Sequence, residues 1–120
     1  MFRGFRRARF RKNSNTTFQG KTPCVTFVTV GELFKGAFKA GWGQRRIEAL
    51  ETWLRKVVVL PYTGEVSRAW GRVCASCEAK GVRIAANDAW IAACCLSSDL
   101  PLMTLNRRHF EAVEGLRLAN

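Results

Sequence analysis

The feature that most constrains the fold is a long apolar helical segment, Ile84 to Leu96, whose only polar side chains are Asn87 and Asp88. A helix that is apolar on nearly all sides is buried against other elements. Both polar residues fall at its start, where unpaired backbone N–H groups and the positive end of the helix dipole favour an anion. The segment therefore predicts a buried helix that organises the domain and holds a carboxylate at its N-terminus.

Strand and helix patterns alternate along the rest of the chain. The β-branched run Cys24–Val30 predicts a strand, and the continuous apolar run Val57–Leu60 is typical of a strand buried on both faces of a parallel sheet. An unbroken apolar stripe predicts a helix from Gly64 to Lys80, with Gly81 as its C-terminal stop. The other predicted elements are helices ending at 41–43 and spanning 45–56, strands at 102–104 and 116–119, and a helical turn from 107. This order predicts an α/β fold in which helices cover both faces of a parallel sheet.

The charge of the chain indicates the kind of partner it binds. Lys and Arg number 20 against nine acidic residues, so the formal net charge is +11. Such an excess favours a polyanionic partner, most simply nucleic acid, with an acidic protein as the alternative. Much of the charge lies near the start of the sequence, and we expect residues 1–20 to form a basic helix and loop segment ahead of a domain at 21–120.

Composition also bounds the class of protein and its compartment. At 120 residues and 48% hydrophobic content, we expect one globular domain. The five cysteines form an odd set in mostly apolar surroundings, which is typical of thiols in a reducing compartment. No secretory signal pattern and no run of ~18 apolar residues is present. These features predict a cytoplasmic protein that does not span a membrane.

Three polar side chains fall where predicted strands end or helices begin. Glu32 follows the first strand, Asp88 opens the apolar helix and Asn106 follows the strand at 102–104. In open α/β sheets, ligands bind outside the carboxyl ends of the strands, so these oxygens form a candidate metal site. A structural alternative exists for Glu32, because Thr29-Val-Gly-Glu32 also fits a capping box, and the local pattern favours the cap.

Other residues with chemical potential have simpler explanations. Cys74 and Cys77 form a CxxC pattern, but they lie on an apolar helical stripe and lack the further ligands that a zinc site needs. His109, the one histidine, has no nucleophile setting that would complete a triad, and a surface position is expected for it.

With these motifs in line, the chain resembles a PIN domain of the VapC type, the toxin ribonuclease of bacterial toxin–antitoxin pairs. The resemblance rests on Thr29-Val-Gly-Glu32-Leu, on Asn87-Asp88-Ala-Trp-Ile-Ala-Ala and on Met103-Thr-Leu-Asn106-Arg-Arg-His-Phe, and it covers about residues 21 to 119. It implies a three-layer αβα sandwich and a Mg²⁺- or Mn²⁺-dependent endoribonuclease, with Glu32, Asp88 and Asn106 as catalytic and metal-binding residues. It also implies an RNA substrate, a VapB-like antitoxin and a homodimer.

The chain departs from this family at one place. The family opens with a central strand that carries an Asp, whereas the aspartates here are Asp88 and Asp99. We therefore expect a sheet with a gap between the strands at 24–30 and 102–104, and a chain that is poorly soluble, molten or dependent on a partner. Truncation by choice of start codon and genuine degeneration are both open. An active ribonuclease toxin, a catalytically inactive module that binds antitoxin or RNA, and a small basic RNA-associated protein are the competing functions.

Overall fold

The structure is a computed structural model, which describes residues 24–119. The predicted basic segment at residues 1–20 lies outside the described residues. Within residues 24–119, four helices and four short strands follow one another in the order β1 (Cys24–Thr26), α1 (Phe27–Lys39), α2 (Gln44–Leu54), β2 (Val58–Leu60), α3 (Gly64–Ala79), α4 (Ala86–Ser97), β3 (Leu102–Met103), a 3₁₀ turn (Arg107–Phe110) and β4 (Leu118–Ala119).

The apolar segment forms α4, the most deeply buried helix of the described chain. Its side chains from Ile91 to Cys95 are all buried, as the sequence predicts. One face of α4 packs with α3, β3 and the 3₁₀ turn through Cys77, Leu102 and Phe110. A second cluster joins Ala93 and Cys94 of α4 to Val66 of α3 and to partly buried aromatic side chains. The buried position of α4 fixes its N-terminus, and hence Asp88, relative to the strands.

The strands form two separate pairs. β1 lies parallel to β2, with Cys24 opposite Val58, and β3 lies parallel to β4, with Leu102 opposite Leu118. Within residues 24–119 no strand joins β1 to β3, so the described sheet is split into two halves. The predicted gap between the first and third strands is therefore confirmed for the described residues.

A cleft lies where the two halves of the sheet are separated. Residues of β1 and β3 line it together with Ile91 and Cys95 of α4 and with Phe110. The cavity itself is small, about 50 Å³. Thr26, Thr29, Glu32 and Thr104 add polar atoms to an otherwise apolar lining. The cleft lies beside the strands that lead into the candidate site.

Two details of the sheet differ from the sequence predictions. The first strand ends at Thr26 instead of Val30, because the Thr26 side chain accepts a hydrogen bond from the Thr29 N–H and so caps α1. The prediction that the Val57–Leu60 run is buried on both faces is wrong. Val58 and Val59 are 47% and 39% exposed, because β2 pairs with β1 alone among the described strands and forms an edge.

Candidate active site

Asp88 is the most buried charged residue of the described chain. It lies in the first turn of α4 and is only 2% exposed. Its Oδ2 atom lies 3.1 Å from Nδ1 of His109, on the 3₁₀ turn that follows β3. Its Oδ1 atom is also buried, and no hydrogen-bond partner reaches it within the described residues. An unpaired carboxylate oxygen in such a place is costly, because burial removes its water without replacing it.

Burial and His109 act on the Asp88 carboxyl in opposite directions. Desolvation raises the pKa of Asp88 above its usual value, and the nearby His109 ring lowers it by charge and by hydrogen bonding. Desolvation is the larger effect, so the net shift of the pKa is upward. A positive charge placed beside Oδ1 would stabilise the ionised carboxylate, and a divalent cation is one such charge.

Glu32 is brought to the same end of α4 from the first half of the sheet. It lies in α1 and is half-buried, and its Oε2 atom accepts a 3.0 Å hydrogen bond from Nδ2 of Asn87. The prediction that Glu32 closes a capping box with Thr29 is wrong. Thr29 lies inside α1, whose N-terminal cap is Thr26, so the Glu32 side chain is available for a contact distant in sequence.

Asn106 lies at the junction where β3 passes into the 3₁₀ turn. Its backbone N–H donates to Oγ1 of Thr104, and its carbonyl accepts from the N–H of His109. The turn thereby places His109, three residues later, against Asp88. The structure thus brings the Asn106 turn to Asp88 through His109, and it brings Glu32 to the neighbouring Asn87.

The described residues fit a hard divalent cation in chemical type. Within residues 24–119, no three His, Cys, Asp or Glu side chains cluster closely enough to hold a metal by themselves. Mg²⁺, however, keeps several of its waters and is commonly held by only one or two carboxylates. The unpaired Oδ1 of Asp88 and the Glu32 carboxylate at the same helix end are oxygen donors of this kind. Asn106 carries an amide on the turn that reaches Asp88 through His109.

Sequence reasoning missed two residues of this region. His109 was expected to be a surface side chain; it is half exposed, but its ring contacts the buried Asp88. Asn87 was considered only as a neighbour of Asp88, yet it holds Glu32. One signal in the sequence favoured His109, because it lies in the helical turn predicted from 107, directly after the candidate ligand Asn106.

The cysteines take no part in the site. No disulfide joins them, and Cys77, Cys94 and Cys95 are buried in the apolar core. Burial raises the pKa of Cys94 to about 11, so its thiol stays protonated at neutral pH. This agrees with the predictions that Cys77 lies on an apolar helical stripe and that the segment from Ile84 to Leu96 is buried, while Cys74 is half-buried. None of the helices in the described part of the chain is long and apolar enough to cross a membrane.

Comparison with known proteins places this geometry in a family. The sequence profile of the PIN domain matches residues 3–116. Ribonuclease VapC2 of Haemophilus influenzae is 35% identical over 113 residues, which cover 94% of this chain and 81% of that protein. The tRNA(fMet)-specific endonuclease VapC of Shigella flexneri is 33% identical over 111 residues, which cover 92% of this chain and 80% of that protein.

Solved structures agree with the sequence comparison. The DNA-bound VapBC of Salmonella typhimurium superposes with a TM-score of 0.80 at 26% identity, covering 90% of this chain and 81% of that one. VapBC2 of Rickettsia felis, bound to a DNA fragment of its promoter, superposes with a TM-score of 0.85 over 99% of this chain and 94% of that one; at 20% identity it supports the fold alone. The fold predicted from the sequence, a PIN-like parallel α/β sandwich without the family's first central strand in its described part, is confirmed. The chain belongs to the PIN-domain family.

Proposed function

We propose that this protein is a VapC-type toxin of a toxin–antitoxin pair, an endoribonuclease that hydrolyses RNA phosphodiester bonds with Mg²⁺ or Mn²⁺. The observation that carries the proposal is Asp88, a 2% exposed carboxylate with one oxygen on His109 and the other unpaired. The excess of positive charge, +11, favours an RNA substrate. The VapC relatives are ribonucleases by name, and VapBC complexes are among the structural neighbours.

Each residue of the site has a definable role in this chemistry. The buried Asp88 and the partly buried Glu32 would hold the cation with oxygen ligands, and Asn106 would add a neutral one. A cation bound there supplies a Lewis acid and lowers the pKa of a bound water. His109 fixes the direction of the Asp88 carboxylate through Oδ2, which leaves Oδ1 directed away from the ring. Asn87 fixes Glu32 in the same manner.

A second candidate function is a catalytically inactive PIN-like module that binds an antitoxin or RNA. It is favoured by the ligand count, since Glu32 and Asp88 are the only carboxylates that the described chain brings to this end of α4. Both candidates share the partners: RNA, a VapB-like antitoxin and a second copy of the chain. Both also fit the cytoplasm, where a ribonuclease meets its substrate.

Matched aspartate variants test the site assignment. Asp99 is the one other aspartate, and it is exposed and pairs with Arg117. We expect Asp88→Asn to abolish the thermal stabilisation that Mg²⁺ or Mn²⁺ gives the parent and to abolish any cation-dependent RNA cleavage, while Asp99→Asn leaves both unchanged. Far-UV circular dichroism of both variants should match the parent.

The outcomes separate the two candidate functions. Cation binding without cleavage of a structured RNA would support the inactive module. Equal cation affinity in Asp88→Asn and the parent would show that Asp88 is not a ligand, and the site would then have to lie elsewhere.

A further inference from the structure

A second feature adjoins Asp88 on the side of the 3₁₀ turn. It is a cavity of about 450 Å³, here called the Arg83–Arg108 pocket. Its walls come mainly from the loop before α4 and from the 3₁₀ turn with its continuation, and Cys77 of α3 and Asp88 of α4 complete them. The volume lies within the range of roughly 300–1,000 Å³ that is typical of small-molecule sites. The pocket is therefore large enough to hold a group the size of a nucleotide.

The rim of this pocket is positively charged. Arg83 and Arg108 are both exposed, and neither forms an ion pair or hydrogen bond with a described residue. Neighbouring cations differ, because Arg107 donates to the Ala119 carbonyl and Lys80 pairs with Glu114. Two guanidinium groups that border one cavity, with no partner among residues 24–119, favour an anion such as phosphate, because a planar guanidinium binds two phosphate oxygens through paired hydrogen bonds.

The floor of the pocket is apolar. Ile84, Ala85 and Ala112 line it, and Val82, which is 40% exposed, extends it. Ala85 is also the N-cap residue of α4 and supplies no side-chain hydrogen bond, so the first-turn N–H groups of the helix lack a side-chain cap. Such groups favour an anion nearby. An apolar floor beneath a cationic rim suits a nucleobase that carries a phosphate.

We propose that the Arg83–Arg108 pocket is a nucleotide subsite for single-stranded RNA. The two guanidinium groups hold one backbone phosphate, and the attached base lies on the floor formed by Ile84, Ala85 and Ala112. Because Asp88 and His109 form one wall of the pocket, this contact places a neighbouring phosphodiester beside Asp88. The inference rests on the proposed function, which it deepens by assigning a contact for the substrate strand.

The chain offers a matched control for this pocket. A cavity of similar volume, about 450 Å³, lies against α3 and also carries two arginines, Arg68 and Arg72. There, Glu65 and Glu114 accompany them, so the charged side chains of that cavity balance. Each arginine-to-alanine variant removes one unit of net charge at either cavity. An effect of net charge alone therefore predicts equal losses at both pairs, whereas a subsite predicts a loss at Arg83 and Arg108 alone.

The test is binding of a labelled single-stranded RNA oligonucleotide, followed by fluorescence anisotropy in EDTA so that no cleavage occurs. We expect Arg83→Ala and Arg108→Ala each to weaken binding about tenfold, which corresponds to about 1.4 kcal/mol. The double variant Arg83→Ala/Arg108→Ala should also lower the slope of log affinity against log salt by about 0.7, the value for one phosphate of a single strand. Arg68→Ala and Arg72→Ala should stay within twofold of the parent. A nucleoside 5′-monophosphate should compete better than inorganic phosphate.

Each other outcome has a defined meaning. Equal losses at the two arginine pairs would overturn the subsite in favour of a diffuse basic surface. Competition by an acidic peptide but not by the monophosphate would overturn it in favour of a protein partner. If the parent binds no RNA, the subsite and the ribonuclease proposal both fail. If binding depends on Arg83 and Arg108 but added Mn²⁺ yields no cleavage, the subsite stands and the nuclease activity fails. Matching thermal melts of all the variants exclude misfolding as the cause.

Discussion

A strand supplied to the cleft between β1 and β3 should stabilise this protein. The described sheet is split there, and both flanking pairs are parallel, so an added strand that runs parallel to β1 can form backbone hydrogen bonds on both of its edges. The perturbation is an extension before Met1 that carries a short alternating apolar strand ending in Asp. The apolar side chains of the added strand would contact Ile91 and Phe110, which both line the cleft.

The expected magnitude follows from the short flanking strands. β1 has three residues and β3 has two, so an added strand gains about four hydrogen bonds, each worth roughly 1 kcal/mol net. Two buried apolar side chains add about 4 kcal/mol. Ordering about four residues costs about 6 kcal/mol of backbone entropy. The net gain is about 2 kcal/mol, which corresponds to a rise in Tm of roughly 5–10 °C for a domain of this size.

The assay compares thermal melts and RNA cleavage for three extensions. The first ends in Asp, the second ends in Asn, and the third carries Pro at its centre, which removes a ladder hydrogen bond and disfavours a central strand. We expect the Asp and Asn forms to melt higher and more cooperatively than the parent, the Asp form alone to gain Mg²⁺-dependent cleavage, and the Pro form to gain neither. A sharp melt and full nuclease activity of the 120-residue chain without any extension would refute this reasoning.

Three further outcomes are expected. Burial raises the native pKa of Asp88 above its ordinary 3.8, so the folded state binds the carboxyl proton more tightly than the unfolded state does. The free energy of unfolding should therefore fall as pH rises from about 3.8 through the raised native pKa. Urea melts of Asp88→Asn should not show this fall. Leu33→Ala should cost about 2–5 kcal/mol in the same melts, since Leu33 is 2% exposed and packs against Ala37 and Leu50. The protein should sediment as a homodimer and bind an acidic or amphipathic antitoxin peptide; a monomer at high concentration would contradict the dimer.

The helices were predictable from the sequence because their signals are local. The apolar stripe and Gly81 locate α3 to within one residue, and Gly81 adopts the positive φ of 70° that favours glycine after a helix end. Because α4 is apolar on all sides, it must be covered by other elements, and its burial could be predicted from the sequence. Periodicity and capping are sufficient information for elements of this length.

The boundary between β1 and α1 was not predictable in the same way. Phe27, Val28 and Thr29 have high β-propensity, but they form the first turn of a helix. Thr26 accepts the Thr29 N–H and so fixes the start of the helix earlier than the β-branched run suggests. The edge exposure of Val58 and Val59 was missed for a related reason, because burial of a strand depends on neighbours that the local sequence does not specify.

The candidate site depends on contacts between residues far apart in the chain. Asp88 meets His109 across 21 residues, and Asn87 meets Glu32 across 55. The sequence identified Glu32, Asp88 and Asn106 by their places at element junctions, since strand ends share one edge of a sheet. The sequence did not indicate which side chains contact these three residues, because the direction of a side chain depends on how the two halves of the sheet pack.

The split sheet links the stability of the fold to the geometry of the site. Glu32 belongs to α1, which follows β1, whereas His109 and Asn106 follow β3, so the candidate ligands are carried by both halves. A strand that joins the halves would hold Glu32 and the Asn106 turn at a fixed distance, and cation affinity should then rise. By thermodynamic linkage, two ligands of one protein change each other's affinity by the same factor. A strand peptide that raises the cation affinity tenfold must therefore itself bind tenfold more tightly when the cation is present. Measuring both affinities therefore tests whether the cleft and the site are coupled, because equal factors are required whichever ligand binds first.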